Sequence, residues 1–288
     1  MGTVRTKEFD AFGPWIFEIC REHDLPPLFS GYSHLKKQAL MMFKIPRHIE
    51  RRKANPFMHL YDAVIAIFND HVLMLYRIEN SVSEQRVSFK ELQAIEVTHC
   101  LLNGDLKLYT NTKIYTINYN TVSQNVITKA VNLLRTQQNH AQYKSLLEPM
   151  QYDINTIEYL YVNLINDFKK NDKDAELVAY QPNINLPKPK GINGLFRRKP
   201  DVQCSAFVSN KKEIVIIGRT SAFKKKDEVS YSYTYTYLSI SQIKSAAIST
   251  YDSDSGISVL TLKTDRHSFS ILFDKTQQNI IQLYNELR

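Results

Sequence analysis

The chain has 288 residues, 43% apolar and 23% charged, the composition of a folded protein with room for two cores. Its eight glycines are too few and too scattered for the glycine-rich loops that approach phosphate closely, which disfavours a nucleotide enzyme. The net charge of +8 is uneven, with +4 in residues 1–60, −3 in 61–185, +5 in 186–200 and +2 in 201–288, whereas a nucleic-acid-binding domain would spread its cations along one folded face.

Residues 1–43 read as an N-terminal arm. Within it, 9–23 predicts a short amphipathic helix, with Pro14 near its first turn and Phe12, Trp15, Ile16 and Ile19 along one side. The basic stretch "KIPRHIERRKANP" (44–56) predicts an extended approach to a first domain spanning 44–147. Pro46 suits only an edge or start position there. "YDAVIAIF" and "HVLMLYR" flank the turn Asn69-Asp70, and a polar loop at 78–83 separates them from "EQRVSF" and "LQAIEVTHCLL". Asn103-Gly104 is the strongest hairpin signal in the chain and leads into "DLKLYT" and "KIYTINY". Over 121–137 the period changes, placing Val122, Val126, Ile127, Ala130, Val131 and Leu134 on one helical face. Residues 148–180 read as a connecting helix, carried by the apolar positions of 153–170 from Ile154 to Phe168. With four prolines, two glycines and no acid, 181–200 reads as a basic linker and domain boundary.

From 202 the same order recurs, giving a second domain at 201–288. "VQCSAFV" and "EIVIIGR" precede a tyrosine-rich strand, then come "IKSAAISTY", "GISVLTLKT" and "HSFSILF". "DKTQQNIIQLYNELR" closes the copy as a helix, with Asp274 a candidate N-cap. A sheet this small hides its edges by curling into a barrel or orthogonal sandwich, with the helix plugging the open end. The order resembles the bacterial pleckstrin-homology (PH)-like domain family, in two tandem copies. "AFVSNKKEIVII" and "LSISQIKSAAI" carry the resemblance in the second copy, and "VSFKELQAIEV" carries it in the first. It implies a mainly β (α+β) chain of two tandem PH-like β-barrels, each closed by a C-terminal helix, plus the helical arm and connecting helix. It also implies a binding module, since PH-like folds usually serve as such.

No chemistry of catalysis or metal binding stands out. The eight histidines are dispersed, none paired with another at i,i+4 or with a cysteine at ligand spacing. "REHD" (21–24) reads as a solvated helix end. No catalytic residue, metal or cofactor is expected. Cys20, Cys100 and Cys204 are odd in number and widely spaced, which predicts buried thiols in a reducing cytoplasm. No apolar run nears the ~18 residues of a membrane span.

The expectation is a non-enzymatic, cytoplasmic scaffolding protein that binds a protein partner, with peripheral association at the inner face of a membrane as an extension. The alternative is direct binding of anionic lipid headgroups by Lys224, Lys225 and Lys226 in a loop and by Arg197, Arg198 and Lys199 in the linker. The resemblance adds to that alternative, because a nearby loop of the PH superfamily often supplies cations to phosphoinositides. Such association is weak and salt-sensitive. Nucleic acid is a remote alternative, resting on tyrosines beside lysines. In "VSYSYTYTYLSI" (229–240), period two puts Tyr231, Tyr233, Tyr235 and Tyr237 on one face. Leu238 and Ile240 continue the Ser/Thr face, which alignment with Val87 and Phe89 assigns to the interior. The tyrosines are therefore expected to face outward as a partner-binding candidate, covered by the other barrel, by the 153–170 helix or by a second copy of the chain.

Overall fold

The computed structural model describes residues 7–21, 24–138, 147–185, 201–210, 212–222, 232–252 and 256–288. After a five-residue helix α1 (Lys7–Ala11), five strands form one antiparallel sheet in chain order. These are β1 (Phe17–Glu18), β2 (Met41–Pro46), β3 (Tyr61–Ile67), β4 (His71–Ile78) and β5 (Ser81–Ser88). Next come β6 (Leu92–Cys100), β7 (Asn103–Thr110), β8 (Ile114–Asn120) and helix α2 (Gln124–Gln137). Helix α3 (Tyr159–Asn171) leads into β9 (Glu176–Gln181), β10 (Ser205–Ser209), β11 (Glu213–Gly218) and β12 (Tyr233–Ser239). A three-stranded sheet of β13 (Ser245–Asp252), β14 (Ile257–Lys263) and β15 (Ser268–Asp274) precedes the last helix, α4 (Gln278–Leu287).

Burial follows the sequence pattern. β3 and β11 are nearly continuous apolar runs because each lies between two strands of its sheet, with side chains buried on both faces. β7 alternates, burying Gly104, Leu106, Leu108 and Thr110 and leaving Asp105, Lys107 and Tyr109 between them only partly covered. α2 buries Ile127, Ala130, Val131 and Leu134, the i, i+3, i+4, i+7 stripe of an amphipathic helix, while Val122 is exposed ahead of it. α4 sets Ile280, Leu283 and Leu287 into a core with Leu238, Ile240, Leu260, Leu262 and Phe273.

The two closed barrels expected from the sequence are not formed. Among the described residues there are three open antiparallel sheets, and the largest runs β8-β7-β6-β12-β11-β10-β9. The physical reason lies at one edge. β6 pairs antiparallel with β12, from Tyr233 opposite His99 to Leu238 opposite Ala94. An edge strand can be protected by acquiring a neighbour as well as by curling shut, and β6 takes the first route. The chain divides into two compact units that cut across sequence order. Unit 1 is residues 1–92, 102–106 and 116–139, and unit 2 is 93–101, 107–115 and 140–288.

Several local expectations also change. The helix read over 9–23 stops at Ala11, because Gly13-Pro14 interrupts it, and the chain then pairs as β1 with Lys44 and Phe43 of β2. Phe12, Ile16 and Ile19 are buried as read, but Trp15 is exposed. A 3₁₀ helix over Pro27–Lys37 follows, with Phe29 in the core. The extended approach at 44–56 contains the end of β2 and a 3₁₀ turn at Arg51–Lys53. The loop at 78–83 shrinks to a turn around Glu79, at φ 54°, joining two eight-residue strands. The Asn103-Gly104 turn is displaced as well. The reversal occurs at Leu101-Leu102, with Leu101 at φ 50°, and both predicted turn residues begin β7. Gly104 has a different use there, since a Cβ on it would lie 2.3 Å from the buried ring of Tyr119. The connecting segment holds a shorter helix than read, followed by β9, which the helical reading of 148–180 omitted. Of the linker, Gln181 ends β9 and Ile184 bridges Val202, while 186–200 lie outside the described residues. Gln277, and not Asp274, holds the N-cap position of α4, without a side-chain capping bond, and the Asp274 carboxylate accepts from Thr276.

Candidate functional site

The tyrosine strand β12 shows the period-two split. Leu238 is fully buried in the core of unit 2, with Ile240 beside it, and Thr234 meets Thr98 across the pair with β6. Tyr233, Tyr235 and Tyr237 lie on the opposite face, where α3 packs on Tyr235 and Tyr237. The Phe168 ring stacks on Tyr235 at a centroid distance of 6.5 Å and tilts against Tyr237 at 6.3 Å. Tyr233 meets Tyr235 edge-on at 5.7 Å, and His99 lies 4.8 Å from Tyr233. Burial pushes the His99 pKa down to about 4 and pushes the Tyr235 phenol up. Phe168 therefore packs against the rings of Tyr235 and Tyr237 within unit 2. Tyr231 lies outside the described residues.

A second cluster in unit 2 gathers around Cys204. Its thiol donates to Glu158 Oε2 at 2.9 Å, and Asn183 donates to the same oxygen at 3.0 Å. Arg219 donates to Glu158 Oε1 at 3.3 Å and to the Ser232 carbonyl at 3.1 Å. The Tyr161 hydroxyl donates to the Cys204 carbonyl at 2.6 Å. Burial first, then the Glu158 carboxylate, pushes the thiol up to about 12, the reverse of what activates a nucleophilic cysteine. The cluster ties the start of α3 to the start of β10. Cys204 is thus the buried structural thiol read from sequence, but Cys20 is exposed and Cys100 only partly covered.

Unit 1 contains a cleft of about 710 Å³. Four separated segments build it: α1 with Glu8, β1 with Phe17 and Glu18, residues 24–28, and residues 56–61, with Lys44 of β2 between them. Pro26, Pro27 and Pro56 stiffen its walls, and Leu25, Leu28 and Met58 make them apolar. Lys44 donates to the Asp24 carbonyl at 2.8 Å and lies 4.5 Å from the Tyr61 ring centroid. Desolvation lowers the Lys44 pKa against the charges of Glu8 and Asp24, and desolvation raises the Glu8 carboxyl against Lys44 and His59. Burial pushes the Tyr61 phenol up to about 12. Among the described residues Glu8 Oε1 is buried with no hydrogen-bond partner. Another concavity, on the exposed face of α2, is lined by that helix alone, and its one cation, Lys129, pairs with Glu18 at 2.7 Å.

Sequence reasoning missed the cleft because its residues lie up to about fifty positions apart and no spacing rule joins them. "REHD" touches it only through Asp24, while Glu22 and His23 lie outside the described residues. Lys224, Lys225, Lys226, Arg197, Arg198 and Lys199 also lie outside them. Among the described residues no group of three or more His, Cys, Asp or Glu could hold a metal, and no helix is long and apolar enough to cross a membrane. Comparison with protein-family models and with curated proteins gives no match.

Proposed function

We propose that the chain is a non-enzymatic binding protein that holds a protein partner in the cleft of unit 1, working on the cytoplasmic side of a membrane. The observation that carries this reading is the cleft itself. It joins apolar walls to a few desolvated polar groups, the composition of sites that bind rather than of bare surface. The shifted groups elsewhere point away from catalysis. The Cys204 thiol stays protonated at neutral pH, and His99 titrates far below the range of a general base. The test is a displayed peptide library panned against the intact chain. Selected peptides should lose about tenfold in affinity when Phe17→Ala or Leu28→Ala trims the cleft wall. They should be unaffected by Tyr159→Ala, an exposed residue of unit 2. Peptides indifferent to both wall substitutions would overturn the reading.

One observation favours direct anionic-lipid binding as a second reading. Phe57 is 85% exposed, and the side chains of Arg52 and Lys53, a few positions earlier in the chain and both paired with Glu50, are 81% and 68% exposed. An apolar ring beside cations is the chemistry that enters a membrane interface. The chain should then sediment with phosphatidylserine vesicles at low salt, less at high salt, and less again as Phe57→Ser. Equal sedimentation with pure phosphatidylcholine would exclude this reading.

A further inference from the structure

The cleft of unit 1 holds two opposite charges that do not neutralise each other by contact. Glu8 and Lys44 both line it, yet among the described residues no ion pair joins them. His59 faces the cleft too, and the other two carboxylates there are already engaged. Glu18 accepts from Lys129 at 2.7 and 2.8 Å, and the Asp24 carboxylate accepts from the Arg21 amide at 2.9 Å. Lys44 donates once to the Asp24 carbonyl and rests on the Tyr61 ring, which leaves part of its three-donor capacity open. Glu8 lines the cleft beside Lys44, and among the described residues its Oε1, closed off from solvent, has no hydrogen-bond partner.

These facts select among ligands by charge. A carboxylate drawn to Lys44 and His59 would meet Glu8, Glu18 and Asp24 in the same cleft. A cation drawn to Glu8 would meet Lys44. A neutral group with one acceptor and one donor satisfies both ends, and the peptide group is such a group. Pro26, Pro27 and Pro56 have no amide hydrogen to offer, so a ligand carbonyl finds its donor at Lys44 rather than along these walls. The apolar surface of Phe17, Leu25, Leu28 and Met58 suits the side chain next to that peptide group. We infer that the partner enters as an extended peptide segment, one peptide group spanning Lys44 and Glu8 and an adjacent apolar side chain filling the cleft. This rests on the binding reading above and adds the chemistry of what is bound.

Three small probes test it on the intact chain by nuclear magnetic resonance titration: N-acetylphenylalaninamide, phenylacetate and phenethylammonium. The neutral diamide should give saturable shifts at cleft residues and bind at least about fivefold more tightly than either charged probe. Glu8→Leu, which removes the acceptor, should weaken the diamide about tenfold, whereas Glu8→Gln, which keeps one, should stay within about twofold. A preference for phenylacetate or phenethylammonium would overturn the inference, as would equal losses in the Leu and Gln variants. Library peptides that need Phe17 but bind the Glu8→Leu chain normally would overturn it while leaving the binding reading intact. Absence of any binding at the cleft would overturn both.

Discussion

His99 lies against the rings of Tyr233 and Tyr235 and is almost wholly out of water, so its neutral form is favoured in the folded chain. Its folded pKa near 4 lies below the unfolded value of about 6.5. The unfolded chain therefore binds the proton first as pH falls. Stability from this residue is fully present above about pH 6.5 and is lost as pH drops towards about 4. The whole effect is at most about 3 kcal/mol. Urea titrations of the parent and of His99→Phe should diverge across that window, the parent losing more stability on acidification. Parallel curves would show that His99 holds its proton equally well folded and unfolded. Nothing in "VTHCLL" marks this histidine, because the rings that bury it come from a strand more than 130 residues away. By contrast, the division of β12 into a Leu238 face and a tyrosine face is legible in the alternation of "YTYTYL", although Tyr237 is itself buried beside Phe168.

At the scale of elements, α3 and β12 meet through Phe168, Tyr235 and Tyr237. Phe168 is buried and touches two tyrosine rings, so Phe168→Ala should cost about 3 kcal/mol or more by denaturant unfolding. A double-mutant cycle with Tyr235→Ser should give a coupling of about 1 kcal/mol, the usual worth of an aromatic pair beyond its buried area. Additive losses would mean the rings pack independently. Periodicity locates α2, α3 and α4 because each needs one apolar stripe, and the stripes are written locally. It fails at 9–23, where the buried spacing of Phe12, Ile16 and Ile19 mimics a helix although Pro14 and β1 pairing impose another path. It also hides β9. "ELVAYQ" is short, and its strand identity comes from β10 beside it rather than from its own pattern.

For the whole molecule, the departure from two barrels has a consequence in how the chain can be divided. The sequence places a boundary at 181–200, with eight strands ahead of α2 before it and six strands, β10 to β15, ahead of α4 after it. Sheet pairing is not decided by that order. Antiparallel edges are interchangeable as hydrogen-bonding partners, and which edge β6 meets depends on geometry that no local pattern encodes. Unit 2 takes residues 93–101 and 107–115 from the first half of the chain, so a fragment of residues 148–288 lacks strands of its own unit. Without β6, the β12 edge from Tyr233 to Leu238 loses its ladder partner, and Ala94 is missing from the core. That fragment should be poorly soluble or self-associated, since an uncovered aromatic edge strand is a template for pairing. Mixing it with a fragment of residues 1–147 during refolding should restore a soluble complex, because the missing edge returns with the second piece. Size-exclusion chromatography and amide hydrogen exchange at β12 read both effects. A monomeric 148–288 fragment, with β12 amides protected as in the intact chain, would show that the β6–β12 pairing contributes little to the fold.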